Sequence, residues 1–215
     1  MRNVRRFLAL AALLAGTASC GDAVRNGSSP VYLTVMAFEA APGGGHGAGV
    51  FTGTLLSDVQ VLVTSPLPCS PATPCPTVFD DFGRIALQLT PKNVLLGPTS
   101  ITTNNQVTLN RYHVDFRRAD GLNRQGVDVP YSFDGAVTET VPPVGQTTIV
   151  FELVRHVAKE EPPLVQLVPV SLGPVQINGV IINTIATVTL YGTDQVGNAV
   201  SVSASMSVEF GNFGD

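Results

Sequence analysis

Few side chains in this chain of 215 residues are suited to chemistry, and the three histidines are the first to consider. His46 lies among glycines, and His113 falls between apolar residues that point the other way, so we expect both side chains to be solvated. His156 precedes Glu160 and Glu161, and a base with carboxylates nearby could carry out acid–base chemistry. The sequence shows no nucleophile positioned for that base. We therefore expect a solvated, salt-bridged edge at His156.

The adjacent carboxylates Asp80 and Asp81 are the best candidates for a metal site. Calcium prefers carboxylate and carbonyl oxygens, but adjacent side chains on an extended chain point to opposite sides. At most one of the two would then be a ligand. The GxSxG, HExxH, Walker A and calcium-loop patterns are absent from the sequence. We predict no catalytic residue, no metal, no cofactor and no enzymatic activity.

A glycine-rich stretch at residues 41–49 contains five glycines and reads as a loop. Backbone N–H groups of such loops can bind phosphate. Here the stretch lacks the Gly-Lys-Ser/Thr ending, and no helical pattern follows it. We therefore expect a loop that does not bind phosphate.

Two of the three cysteines, Cys69 and Cys75, bound a short proline-rich segment. A metal or redox site is the competing interpretation, but the CxxC spacing is absent and no histidine lies nearby in the sequence. In an exported protein the compartment is oxidising, and two remaining thiols can pair. We predict a disulfide between Cys69 and Cys75, with a free pair as the alternative.

The amino terminus has the features of a signal peptide. Arg2, Arg5 and Arg6 precede an apolar run at residues 7–15, and small residues follow at 16–19. The run of about nine apolar residues is too short for a membrane-spanning helix, which needs ~20. We predict that residues 1–19 are removed.

Thr17, Ala18, Ser19 and Cys20 resemble the bacterial lipoprotein signal, in which a cysteine follows small residues. The resemblance covers residues 1–21 and implies that Cys20 is diacylated and becomes the first mature residue. Thr17 departs from the leucine that the family usually has there. The alternative is ordinary secretory cleavage near Ser19.

A lipidated Cys20 would attach the protein to a membrane through residues 20–29, a polar and flexible tether. Removal of residues 1–19 takes away three arginines and leaves nine basic against 16 acidic residues, a net charge of −7. Nucleic acid and anionic headgroups are poor partners for such a surface. Gly21 follows Cys20 where an inner-membrane retention signal in some bacteria has Asp. We therefore expect the outer membrane of the bacterial cell envelope.

The residue composition predicts an all-β body. The chain has 30 Val and 20 Thr against 2 Lys and 6 Glu, and β-branched residues favour strands over helices. Alternation at residues 106–118 changes phase at Asn110-Arg111, which predicts a β-bulge. Asn178-Gly179 predicts a tight hairpin. Further extended runs are predicted at residues 31–40, 50–64, 84–89, 127–131, 136–141, 147–157, 164–170, 184–191 and 199–210.

About nine such strands predict an antiparallel β-sandwich over residues 30–215. Residues 109–121 and the hairpin around 194–198 resemble the immunoglobulin or fibronectin type III sandwich. The buried tryptophan of that family is missing, and Cys69 and Cys75 are too close in sequence for its inter-sheet bridge. The alternative is two smaller sandwiches divided near residues 92–105.

From these observations we predict a lipid-anchored envelope protein that acts as a structural or protein-interaction module, with an envelope protein or polymer as its partner. The alternative is a small-ligand or carbohydrate-binding lipoprotein accessory to a transporter or hydrolase. Sugar binding usually uses exposed aromatic residues. Aromatic residues make up 7% of the chain and tryptophan is absent, which favours the first interpretation.

Overall fold

A computed structural model describes residues 29–92, 101–168, 171–172, 175–176 and 180–213. The predicted signal peptide, Cys20, residues 21–28 of the predicted tether and the Asn178-Gly179 hairpin turn lie outside the described residues. So do residues 93–100, which form most of the segment where a division into two sandwiches was considered.

The described residues form β-strands with few helical turns. The strands, in chain order, are β1 (Val31–Ala41), β2 (Thr54–Asp58), β3 (Val61–Val63), β4 (Cys75–Thr77), β5 (Asp81–Pro91), β6 (Val107–Arg117), β7 (Phe133–Val141), β8 (Gln146–Val154), β9 (Ser171–Leu172), β10 (Val175–Gln176), β11 (Ile182–Asp194) and β12 (Ala199–Gly211). One α-helix, α1 (His156–Glu160), and two 3₁₀ turns, η1 (Thr103–Asn105) and η2 (Leu164–Leu167), accompany them.

Two larger sheets build the body. One has three antiparallel strands in the order β1-β5-β8, and the other has five strands in the order β2-β12-β11-β6-β7. In the second sheet β2 runs parallel to β12, whereas the other neighbours are antiparallel. The parallel pair departs from the purely antiparallel sandwich that the sequence predicts. A tight hairpin would require antiparallel pairing, but none joins β2 to β12, so their connection allows the parallel arrangement.

The two sheets enclose one buried core that contains residues from before and after residues 93–100. Tyr112 of β6 and Phe151 of β8 contact each other across the sheets, with ring centroids 5.0 Å apart. On either side of them the inward side chains of both sheets alternate with exposed ones, as a sandwich requires. The core includes Leu33, Ile85, Leu87, Val114, Phe116, Ile149, Val188, Leu190, Val208 and Phe210. The predicted all-β sandwich is therefore confirmed, and an immunoglobulin-like form of it stays a prediction.

The two cysteines of the predicted disulfide are close together. Cys69 and Cys75 lie at disulfide-bonding distance. They close the loop between β3 and β4, which form a two-stranded sheet of their own.

Two details of strand phase agree with the sequence. The register of β6 shifts between Leu109 and Arg111, so the predicted bulge at Asn110 is present. In β11 the more apolar set of alternating residues faces the core: Ala186, Val188 and Leu190 are buried.

Four predicted extended runs are wrong in part. The run at 147–157 ends as a strand at Val154, because residues 156–160 form the helix α1. Residues 127–131 form a loop, because the Asp128 carboxylate accepts hydrogen bonds from the Arg124 backbone and guanidinium and folds the chain back locally. Residues 164–167 form the 3₁₀ turn η2 and bury Leu164 and Leu167 instead of extending. The run at 50–64 divides into β2 and β3.

The turn between β11 and β12 is organised by Asp194. Its carboxylate accepts hydrogen bonds from the backbone N–H of Val196 (3.0 Å) and of Asn198 (2.8 Å). Gly197 has φ +91°, a left-handed conformation that favours glycine. Burial by itself would raise the pKa of Asp194, but the hydrogen bonds from Asn198 and Val196 outweigh it and hold the pKa below 3.8.

Asp194→Ala should lower the free energy of unfolding by about 1–3 kcal/mol at neutral pH, since two backbone donors lose their acceptor. The folded-state pKa of Asp194 lies below its unfolded value of 3.8, so its contribution to stability is present above that pH. The contribution is lost as the pH falls through the folded-state pKa. Urea unfolding of both proteins at neutral and increasingly acidic pH should show the two stabilities converging.

Asp120→Ala is the matched control. The Asp120 carboxylate also accepts a turn N–H, that of Leu122 at 3.1 Å, but it lies exposed at the surface. This substitution should have a much smaller effect. Equal losses from the two substitutions would contradict the role given to Asp194.

Candidate functional site

In the part of the chain that the structure describes, two groups of polar side chains lie near the ends of strand β1. The aspartate–lysine cluster consists of Ser57, Asp58, Asp81 and Lys159, and lies where β1 ends. The tyrosine groove, which is lined by Tyr32 and Tyr191 among other residues, lies where β1 begins. Eleven residues of β-strand separate the two ends by roughly 33 Å at ~3.3 Å per residue.

Asp81 and Lys159 form a buried ion pair. Lys159 Nζ lies 2.8 Å from Asp81 Oδ2, and the two side chains are 1% and 0% exposed. The hydroxyl of Ser57 donates to the same oxygen at 2.6 Å, and the backbone N–H of Gly43 donates to Oδ1 at 3.0 Å. The carboxylate is thus bound by one cation and two neutral donors in the absence of solvent.

Burial raises the pKa of Asp81 above its ordinary value, because a charged carboxylate loses its hydration there. The positive charge of Lys159 and the hydrogen bonds from Lys159, Ser57 and Gly43 oppose this effect. A buried charge is costly unless it is paired, so each member of the ion pair depends on the other.

Asp58 follows Ser57 in β2 and fixes the glycine-rich loop by a hydrogen bond. Its carboxylate accepts hydrogen bonds from the backbone N–H of His46 (3.0 Å) and of Phe213 (2.7 Å). Gly45 has φ +76°, and a Cβ there would meet the Asp58 carboxylate. The N–H groups of Gly43 and His46 therefore bind carboxylates of the chain itself, as expected for a structural loop rather than a phosphate-binding one.

Asp80 and Asp81 point in different directions, as an extended chain predicts. The Asp80 carboxylate accepts the backbone N–H of His156 at 2.5 Å and lies 2.8 Å from its ring Nδ1. Burial by itself would raise the pKa of Asp80, but the bonds and charge of His156 outweigh it and lower that pKa. The two carboxylates thus have separate partners and share no calcium position.

His113 also lies beside a carboxylate. His113 Nδ1 is 3.3 Å from Asp134 Oδ1, and Arg111 contacts the same oxygen at 3.3 Å. All three residues lie on the outer face of the five-stranded sheet, where the side chains are partly exposed. Within the described residues, no group of three or more His, Cys, Asp and Glu side chains could hold a metal ion.

Sequence reasoning missed the burial of Lys159. This lysine lies between His156 and Glu160, in the segment that was expected to be a solvated, salt-bridged edge. The available signal was weak: Lys159 is one of only two lysines in the chain, and it follows the apolar Val157-Ala158. The α-helix that carries it has five residues, too few for a clear amphipathic pattern.

The tyrosine groove is a cavity of about 470 Å³. It is lined by Ser29, Val31, Tyr32, Lys92, Tyr191, Gly192, Ala199, Val200 and Ser201. The Arg111 guanidinium lies over the Tyr191 ring, 4.2 Å from its centroid. The groove therefore combines two aromatic rings with hydroxyl and amine donors, next to the point where the chain enters the domain.

No helix in the described parts of the chain combines the length and the apolar character needed to cross a bilayer. Comparison of the chain with protein-family models, with curated proteins and with solved structures finds no match.

Lys159→Met should lower the free energy of unfolding by about 3–5 kcal/mol, because it leaves the Asp81 carboxylate buried without its counter-charge. Urea or thermal unfolding measures the loss. The double variant Asp81→Asn/Lys159→Met removes both charges and should recover part of it.

Lys92→Met is the control, since Lys92 is the other lysine of the chain and is exposed. It should change stability by no more than about 0.5 kcal/mol. Equal losses of unfolding free energy from Lys159→Met and Lys92→Met would show that Asp81 does not depend on Lys159. The same conclusion would follow if the double variant were no more stable than Lys159→Met.

Proposed function

We propose that this chain is a lipid-anchored protein of the bacterial cell envelope whose β-sandwich is a structural or protein-interaction module. The signal-peptide features of residues 1–19 and the lipobox-like residues Thr17 to Cys20 support the anchor. The Cys69–Cys75 pair at disulfide-bonding distance is in keeping with an oxidising compartment.

The single observation that carries the interaction function is a patch on the outer face of the three-stranded sheet. This outer patch consists of Phe51, Phe82, Arg84 and Val150. Phe82 and Val150 are 40% and 56% exposed, and the Arg84 guanidinium lies 4.2 Å from the Phe51 ring centroid. Aromatic residues and arginine are enriched at protein interfaces and carry much of their binding energy.

The outer patch adjoins an open strand edge. Within the described residues, β8 pairs with β5 on one side and has no neighbouring strand on the other. Unpaired N–H and C=O groups of such an edge can receive a strand from a partner. Val150 lies on β8 opposite Arg84, so backbone pairing and side-chain contacts could act together.

The alternative function, binding of a small ligand or carbohydrate, is favoured by the tyrosine groove. Tyr32 and Tyr191 offer ring faces, and Ser201 and Lys92 offer hydrogen-bond donors. Cavities of this size that combine apolar walls with a few polar groups are typical of ligand sites.

Cys20→Ser should release the protein from the membrane. Acyl chains contribute about 0.8 kcal/mol per buried methylene, and two or three chains anchor firmly. Flotation of cell membranes on a density gradient measures the attachment. The double substitution Cys69→Ser/Cys75→Ser is the matched control and should leave the protein with the membrane fraction. Flotation of the Cys20→Ser protein with the membranes would contradict the lipid anchor.

Val150→Glu should reduce recovery of a partner by on the order of tenfold, since a charge in the outer patch would be desolvated on binding. The measurement is affinity capture of the acylated protein from its native envelope, followed by quantification of the co-purifying protein. Ser207→Glu places the same charge on the outer face of the other sheet and should leave capture unchanged.

Recovery of one stoichiometric partner that Val150→Glu loses supports the interaction function. A monomer recovered with a bound sugar and no partner would contradict it and favour the alternative at the tyrosine groove.

A further inference from the structure

The aspartate–lysine cluster places an amine against a carboxyl group where water is excluded. We propose that Lys159 and Asp81 condense to form an intramolecular amide, an isopeptide bond between Lys159 Nζ and Asp81 Cγ. This modification is separate from the proposed function, since it needs neither the lipid anchor nor a partner.

The first argument is proximity. Lys159 Nζ and Asp81 Oδ2 are 2.8 Å apart. Asp81 is the first residue of β5 and pairs with Val154, the last residue of β8. Lys159 follows only five residues later in α1, whose first residue His156 is bound to the Asp80 carboxylate. Both reacting groups are therefore held by neighbouring backbone, which replaces a bimolecular encounter with a positioned contact.

The second argument is the absence of solvent. With side-chain exposures of 1% and 0%, neither charge is hydrated. Transfer of one proton from the ammonium to the carboxylate leaves a neutral amine next to a neutral acid, which are the forms that react. Burial raises the pKa of Asp81, which favours the acid form.

The third argument is the placement of the donors on the two carboxyl oxygens. The N–H of Gly43 donates to Oδ1 at 3.0 Å, where negative charge develops as the amine adds to Cγ. The hydroxyl of Ser57 donates to Oδ2 at 2.6 Å, the oxygen that receives the ammonium protons. Oδ1 is thus stabilised as the carbonyl oxygen of the product, and Oδ2 is the leaving group.

The reaction balances without an added reagent. The Cγ–Oδ2 bond breaks and the Cγ–Nζ bond forms. Two of the three ammonium protons leave with Oδ2 as water, and the third stays on the amide nitrogen. The two opposite charges disappear together, and no oxidant or reductant is consumed.

Mass spectrometry of the denatured full chain tests the proposal. The folded wild-type protein should be lighter by one water than the mass calculated for its sequence, once the Cys69–Cys75 disulfide and any processing of the amino terminus are included. Proteolysis and fragmentation should yield a branched peptide that joins the Asp81 and Lys159 segments. Lys159→Arg keeps the positive charge but has no amine that can form this amide, so this variant should not lose the water. The matched variant Lys92→Arg should lose one water, as the wild type does.

A wild-type chain at its unmodified mass would overturn the proposal. So would a water loss that persists in Lys159→Arg, because it would then arise elsewhere, for example by cyclisation at Asp120-Gly121 or Asp134-Gly135. If Lys159→Arg does not fold, the branched peptide of the wild-type protein decides the question by itself. These outcomes do not depend on membrane attachment or partner capture.

Discussion

The buried contact between Asp81 and Lys159 is the constraint that organises one end of the domain. A carboxylate without water needs a counter-charge and donors, and these come from three other parts of the chain. Ser57 belongs to β2, Gly43 to the glycine-rich loop and Lys159 to α1, while Asp81 itself begins β5. Satisfying one buried charge therefore fixes the loop, the short helix and the starts or ends of strands from both sheets.

The two ends of the sandwich differ in character. The end where β1 begins contains the tyrosine groove, and Ser29 there adjoins the predicted tether from Cys20. The opposite end contains the aspartate–lysine cluster. A protein attached by lipid through residues 20–29 would present the groove near the membrane and the cluster away from it. The outer patch lies on the three-stranded sheet close to the cluster, because Phe82 directly follows Asp81 in β5 and Arg84 pairs with Glu39 near the end of β1.

The sequence predicts strand phase well and loop conformation poorly, for a physical reason. Alternation depends on the two-residue period of a strand, which is why the bulge at Asn110 could be located. Residues 127–131 have the same β-branched composition as a strand, yet the Asp128 carboxylate turns the chain back onto Arg124. Such side-chain-to-backbone bonds compete with strand formation, and composition alone does not reveal which of them wins.

By itself, the sequence determined the all-β class and the bulge in β6, because these follow from local composition and periodicity, and it placed Cys69 and Cys75 close enough to pair. Only the tertiary structure decided which chemistry-bearing residues meet. Asp81 and Lys159 are 78 positions apart in sequence and meet because β5 pairs with β8 immediately before α1 begins. Burial is a property of the packed sheets, so a lysine that reads as solvated in a polar segment becomes one of the least exposed residues of the domain.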